Sequence, residues 1–220
     1  MGIVVGGDTA AELSNLDIDI QNNQQEKFVN SVYVSVDEAI GCELSRLVTE
    51  KGLVSSCKAG CYYCCGQHIL TSIIEAQTIM RYIKREFSQD QIEDLRIRTR
   101  KWHEWDSIRS DSDNAKRLRT YQYCPMLVEN ECSVYPVRPL ICRTHFVCSD
   151  SQACRPLDDP KSVSDNPIAL KSVVAVTNKF TVMIKDHIRN RGLHFYDSVM
   201  LLPHWIAIEM NWDFTIQNNR

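Results

Sequence analysis

The sequence has no run of about 18 apolar residues, so no membrane-spanning helix is expected from it. It has no excess of basic charge: 25 Lys and Arg stand against 28 Asp and Glu, a net charge of −3. Nothing therefore draws the whole chain to nucleic acid. Met1 to Asp8 contain no Lys or Arg and no apolar core of roughly 7–15 residues, so no secretory signal is expected there. No internal repeat is present. No Gly-rich loop follows a strand-like segment, so the usual cradle for S-adenosylmethionine is missing. A cytoplasmic protein without membrane contact is the expectation.

Cysteine, by contrast, is abundant. Ten are present, and four crowd into Cys57-Lys-Ala-Gly-Cys61-Tyr-Tyr-Cys64-Cys65. A second set follows: Cys124, Cys132, Cys142, Cys148 and Cys154. Only Cys42 stands apart, inside a helical pattern. Thiolates this dense repel one another unless a metal ion, an iron–sulfur cluster or oxidation neutralises them. A chain of 220 residues buries a sizeable core and needs no disulfide staples. Clustered Cys in a reducing compartment reads as metal-binding or redox. A disulfide framework and a thiol redox device using Cys64 and Cys65 stand as alternatives. A bond between adjacent cysteines is strained.

The rest of the chain reads as helix. Residues 1–24 are expected to form a loosely ordered tail, and 25–220 a single helical domain. Phe28, Val32, Val36, Ile40, Leu44 and Val48 recur every four residues as one apolar stripe, ending near Gly52. Ser72-Ile73-Ile74-Glu75 has the form of a capping box, before a helix with Ile73, Ala76, Met80, Ile83 and Phe87 inward. Ser88-Gln89-Asp90-Gln91 offers another, before Ile92, Leu95, Trp102 and Trp105. The pattern fails from about Ser110 to Asp165, where five prolines and five cysteines fall. Such a stretch needs another source of order, and metal ligation would supply it. Helix resumes at Asn166-Pro167, an N-cap followed by Pro at the first helical position. Val173, Val176, Phe180, Ile184 and Ile188 mark its buried face, and Gly192 its end. A short helix around Leu202 to Trp212 follows. No second hydrophobic core is expected. The fold class is mainly α, with an irregular cysteine-rich loop region ordered by metal. The mixed charges between Lys101 and Arg119 read as solvated surface.

Cys57-x3-Cys61-x2-Cys64 brings three sulfurs onto one short loop, with Gly60 free to adopt positive φ. Adjacent side chains diverge, so Cys64 and Cys65 are expected not to chelate the same ion readily. Zinc and a four-iron cluster each take four ligands, fewer than the nine clustered cysteines. The spacings match neither a bacterial ferredoxin run nor a zinc finger ending in paired His, so they do not name the metal. His68 and His145 adjoin the motifs, either as metal ligands themselves or as loop residues that support the sulfur ligands. His103, His187, His194 and His204 lie outside them. Arg138 and Arg143 either donate to thiolate sulfur or fix the loop by salt bridges.

These residues resemble a known family. Cys57-Lys-Ala-Gly-Cys61-Tyr-Tyr-Cys64-Cys65, followed by Thr71-x3-Glu75, resembles the opening motif of the YkgJ-type cysteine-cluster proteins, described as zinc- or iron-chelating domains. Cys124-Pro125-Met126-Leu127 and Cys132-Ser133-Val134-Tyr135-x2-Arg138-Pro139-Leu140-x-Cys142-Arg143 are similar to the family's second stretch. Ser149-Asp150-x3-Cys154 is similar to an element of one branch. The likeness covers about residues 50–160. It implies Cys57, Cys61, Cys64, Cys65, Cys124, Cys132, Cys142 and Cys154 as ligands of zinc, iron or an iron–sulfur centre; Cys148 has no place in it. The implied function is metal binding. The alternative is a metal-dependent modifying enzyme: a protein or peptide N-methyltransferase, as a distant relative of flagellin lysine N-methylase, or an iron-dependent oxidase of a peptide or small molecule.

Overall fold

A computed structural model describes residues 9–58, 60–108, 122–156, 159, 161 and 166–214, with side chains from Gln21 onward. The helices are α1 (Thr9–Lys51), α2 (Ile73–Glu86), α3 (Gln89–Ile108), α4 (Leu140–Thr144), α5 (Lys171–Asn190) and α6 (Leu202–Glu209). Two antiparallel strand pairs join them: β1 (Leu70–Ser72) with β4 (Val199–Leu201), and β2 (Leu127–Val128) with β3 (Glu131–Cys132). The fold is mainly helical, as the periodicity implies. None of the described helices is long and apolar enough to cross a membrane.

α1 begins at Thr9, not near residue 25. Ala10, Ala11, Glu12 and Leu13 are good helix formers, and propensity carries the helix back beyond the stripe that marks its buried part. The stripe itself turns. Val32, Val36 and Ile40 are buried, but Val48 is exposed and Leu47 takes its place. A strict four-residue repeat advances about 400° per step, some 40° past a full turn, so it drifts off the core. The left-handed Gly52 (φ 62°) then closes the helix.

Both capping boxes form. Ser72 donates to the Glu75 carboxylate from its amide (3.3 Å) and its hydroxyl (2.7 Å). At α3, Ser88 and Gln91 exchange bonds of 2.8 and 3.3 Å. α5 starts at Lys171, not at Asn166-Pro167. The intervening backbone is engaged elsewhere: Cys148 donates to Ile168 and Leu170 donates to Phe146, and Val147 bridges Ala169. α5 ends as expected at the left-handed Gly192 (φ 75°).

The expected single core is two clusters, both served by α2. One joins α1 and α5 through Val32, Val36, Phe180, Ile184 and Ile188, with Ile74 and Leu140. The other joins α2, α3 and α6 through Ile79, Ile83, Leu95, Leu202 and Ile206, with Met126, Val134 and Val137. A helix wide enough in its apolar face to serve two partners has no sequence mark separating them. Part of the irregular region also orders locally. Glu129 and Asn130 both take positive φ (49° and 67°), the two-residue turn that matches strand twist, and close the β2–β3 hairpin.

Candidate metal centre

The first cysteine motif enters the fold through a 3-10 helix, Tyr63–Gly66, that carries Cys64 and Cys65. Gly60 precedes Cys61 at φ 80°, the positive angle anticipated for it. The second group arrives by three routes. Cys124 donates its amide to the Cys65 carbonyl (2.8 Å). Cys132 sits on β3 and Cys142 on α4.

These segments bring the half-buried Cys64, Cys124, Cys132 and Cys142 within electrostatic reach of one another, and Cys65 within reach of the first three, a grouping called the nest below. Burial pushes the Cys124 thiol up to about 12, with Cys132 and Cys64 adding to the rise. Burial likewise raises Cys142, helped by Cys124, Cys64 and Cys132, and raises Cys132. Cys57 is raised by burial and feels Cys61 and Cys64. Its sulfur accepts from the Val147 amide at 3.4 Å, which moors the first motif to the second cysteine region.

Interaction with Cys65 holds the Cys64 thiol below its ordinary value, while Cys64, burial, Cys124 and Cys132 raise that of Cys65.

The other candidates divide. Cys154 is buried on the 3-10 helix Ser151–Cys154, which packs against the one holding Cys64 and Cys65. Cys148 stands outside the nest: its thiol points to the Ile168 carbonyl (3.6 Å) and packs on the first core cluster. Cys42 is exposed on α1. His145 sits beside Gln67 (3.3 Å), and burial lowers its imidazole. His68 packs tilted against Trp102 and edge-on against Trp105. The part of the mixed-charge run from Arg109 to Arg119 lies outside the described residues.

Three guanidinium groups reach the nest. Arg98 favours the Cys124 thiolate, Arg138 that of Cys64, and Arg138 and Arg143 that of Cys132. Arg98 was not legible: it stands half-buried at the edge of the face that Leu95 and Trp102 bury, and its Nε reaches the Pro125 carbonyl (2.8 Å) only through the fold. Arg143 does the loop-fixing work. It is 2% exposed, donates to the Arg138 carbonyl (3.0 Å) and the Pro136 carbonyl (2.5 Å), pairs with Asp37 (2.6 Å) and stacks on Tyr33. Glu75, 5% exposed, stands beside it. Its carboxylate accepts from Tyr33 Oη (3.2 Å), the Leu140 amide (2.8 Å) and both donors of Ser72. Glu75 and Arg143 thus latch α1, α2 and the Cys142 helix together.

All ten cysteines are free thiols. Among the described residues, no group of three or more His, Cys, Asp or Glu side chains takes up metal-ligand geometry. The donor set fits a soft metal by its chemistry: several thiols, half-buried, with cations beside them to offset thiolate charge. No family model, curated protein or solved structure matches this chain.

Proposed function

We propose that this chain is a cysteine-cluster metal-binding protein of the YkgJ type, holding zinc, iron or an iron–sulfur centre. The observation that carries the reading is the convergence of Cys64 and Cys65 with Cys124, Cys132 and Cys142, which lie some 60 to 80 residues further along the chain. Nothing in ordinary packing favours gathering five thiols within electrostatic reach of their neighbours in the group. A soft cation does, because it replaces several protons at once. Cys57, Cys61 and Cys154 border the nest and complete the ligand set or a second centre. When bound, the metal would supply positive charge and a rigid link between distant segments. Glu75 and Arg143 hold those segments in place.

A metal-dependent enzyme is the second reading: a cavity of about 280 Å³ is lined by Leu140, Ile141 and Thr144 of α4, the helix that carries Cys142.

Purification without air, followed by metal and sulfide analysis and a visible spectrum, tests the reading. We expect at least one zinc or iron per chain. Cys64→Ser and Cys65→Ser should each lower it: a Ser hydroxyl stays protonated and is a poor ligand for a soft site. A protein that holds no metal, or two variants that keep the full amount, would defeat it.

A further inference from the structure

We propose that Arg155 and Asp159 are positioning residues of the metal centre: they clamp the chain before Cys64 to the chain before Cys124 and so fix these two thiols relative to each other. The inference rests on the metal-binding reading above. Tyr63 precedes Cys64, Tyr123 precedes Cys124, and Arg155 follows Cys154. The Arg155 guanidinium donates to Tyr63 Oη (3.1 Å) across 92 residues, and to the Asp159 carboxylate (3.3 Å). That carboxylate also accepts from Tyr123 Oη (3.2 Å). Tyr62 closes the circuit: its ring centroid lies 4.9 Å from that of Tyr63 and 5.7 Å from that of Tyr123. Three segments that each carry a candidate ligand are thus joined by side chains next in sequence to the cysteines.

The joint between the two cysteine groups needs such a clamp. The bond from the Cys124 amide to the Cys65 carbonyl (2.8 Å) pins the segments at one point and leaves them free to twist about it. A metal accepts its ligands only within about 0.2 Å of the preferred distance, so the twist matters. The contacts of Glu75 and Arg143 fall on α1, Ser72 and residues 136–140, away from these two segments. The circuit through Arg155 supplies the second point. A planar guanidinium serves two acceptors at a fixed angle, and its Cζ lies 4.4 Å over the Tyr63 ring. Asp159 is anchored in turn: its carboxylate accepts from the Lys161 amide (2.8 Å), and its own amide donates to the Pro156 carbonyl (3.1 Å). The Arg155 and Asp159 side chains are 13% and 8% exposed, so water competes little for them. An ion pair that served only the surface would lie open to solvent and be worth little.

The test titrates the full chain, reduced and metal-free, with cobalt(II) in the absence of air. The thiolate-to-cobalt charge-transfer band reports both affinity and the sulfur ligands around each bound ion. Arg155→Ala should weaken cobalt binding about tenfold or more, the usual effect of removing a group that orients ligands, and should lower the band per bound cobalt. A residue that only stabilised the fold would leave the band per bound cobalt unchanged. Arg155→Lys keeps the charge but not the fork, so it should not restore the band. Tyr63→Phe keeps the ring and removes one hydroxyl; it should weaken binding about two- to tenfold, the worth of one hydrogen bond. It carries the test if circular dichroism shows Arg155→Ala to be misfolded. An unchanged band and affinity in Arg155→Ala, full restoration by Arg155→Lys, or unchanged affinity in Tyr63→Phe would each overturn the clamp while leaving the metal-binding reading intact. No cobalt uptake by the unmutated chain would overturn that reading, and the clamp with it.

Discussion

Glu75 joins three segments through one buried carboxylate. Ser72, three residues before it, is a cap partner that the sequence displays. Tyr33 and the Leu140 amide are 42 and 65 residues away, and no local pattern announces them. Removing the carboxylate leaves buried donors on α1 and α4 without acceptors. Glu75→Ala should therefore cost about 3 kcal/mol or more in unfolding free energy, measured by denaturant titration. Glu75→Gln keeps one acceptor oxygen and should cost less. Equal losses for the two would show that the lost contacts are not hydrogen bonds. Arg143 teaches the same lesson. Its place between Pro139 and Cys148 left two roles open, thiolate donor or loop clamp. Most of its donors go to Arg138, Pro136 and Asp37, because those acceptors surround it once the loop folds back on α1.

At the scale of elements, α3 and α6 meet through a pair of imidazoles. His103 and His204 have ring centroids 4.6 Å apart. His103 faces the Pro203 carbonyl (3.2 Å), and His204 faces Asp106 (3.2 Å). Burial lowers the His103 imidazole below its ordinary value; His204 lowers it further, while the Pro203 carbonyl and Asp106 oppose the shift. A depressed folded value means that the folded state binds fewer protons than the unfolded one. This stability is therefore full above about pH 6.5 and is lost as pH falls through the depressed value. We expect the thermal midpoint to drop between pH 7 and pH 5, and His103→Gln to flatten part of that slope. His145 and His187, lowered by burial as well, leave the remainder. An unchanged slope in His103→Gln would remove this pair from the account. Helix existence was legible here, since Leu95 and Trp102 recur on one face. Helix limits were less so. α5 loses its first turn because residues 168–170 bond to 146–148 instead.

For the whole molecule, the cysteine region should depend on metal for its order. The segment 122–156 is built of a hairpin, short 3-10 turns and the five-residue α4, none of which is stable alone. A metal shared between the two cysteine groups would close a loop of roughly 60 residues, worth about 4 kcal/mol in the chain-entropy model. Chelator treatment should speed protease cleavage within 122–156 while the circular dichroism of the long helices largely survives. Equal protection with and without metal would mean that the latch of Glu75 and Arg143 suffices by itself.

The sequence by itself determined the mainly helical class, both capping boxes and the left-handed glycines that end α1 and α5. These rest on contacts within a few residues, where local chemistry decides. It also displayed the two cysteine groups. Only the tertiary structure decided that Cys64, Cys65, Cys124, Cys132 and Cys142 share one nest while Cys148 turns to the core. The same holds for Arg98 standing within electrostatic reach of Cys124. Those outcomes depend on χ rotation and on how helices far apart in the chain cross, and neither leaves a periodic trace in the order of residues.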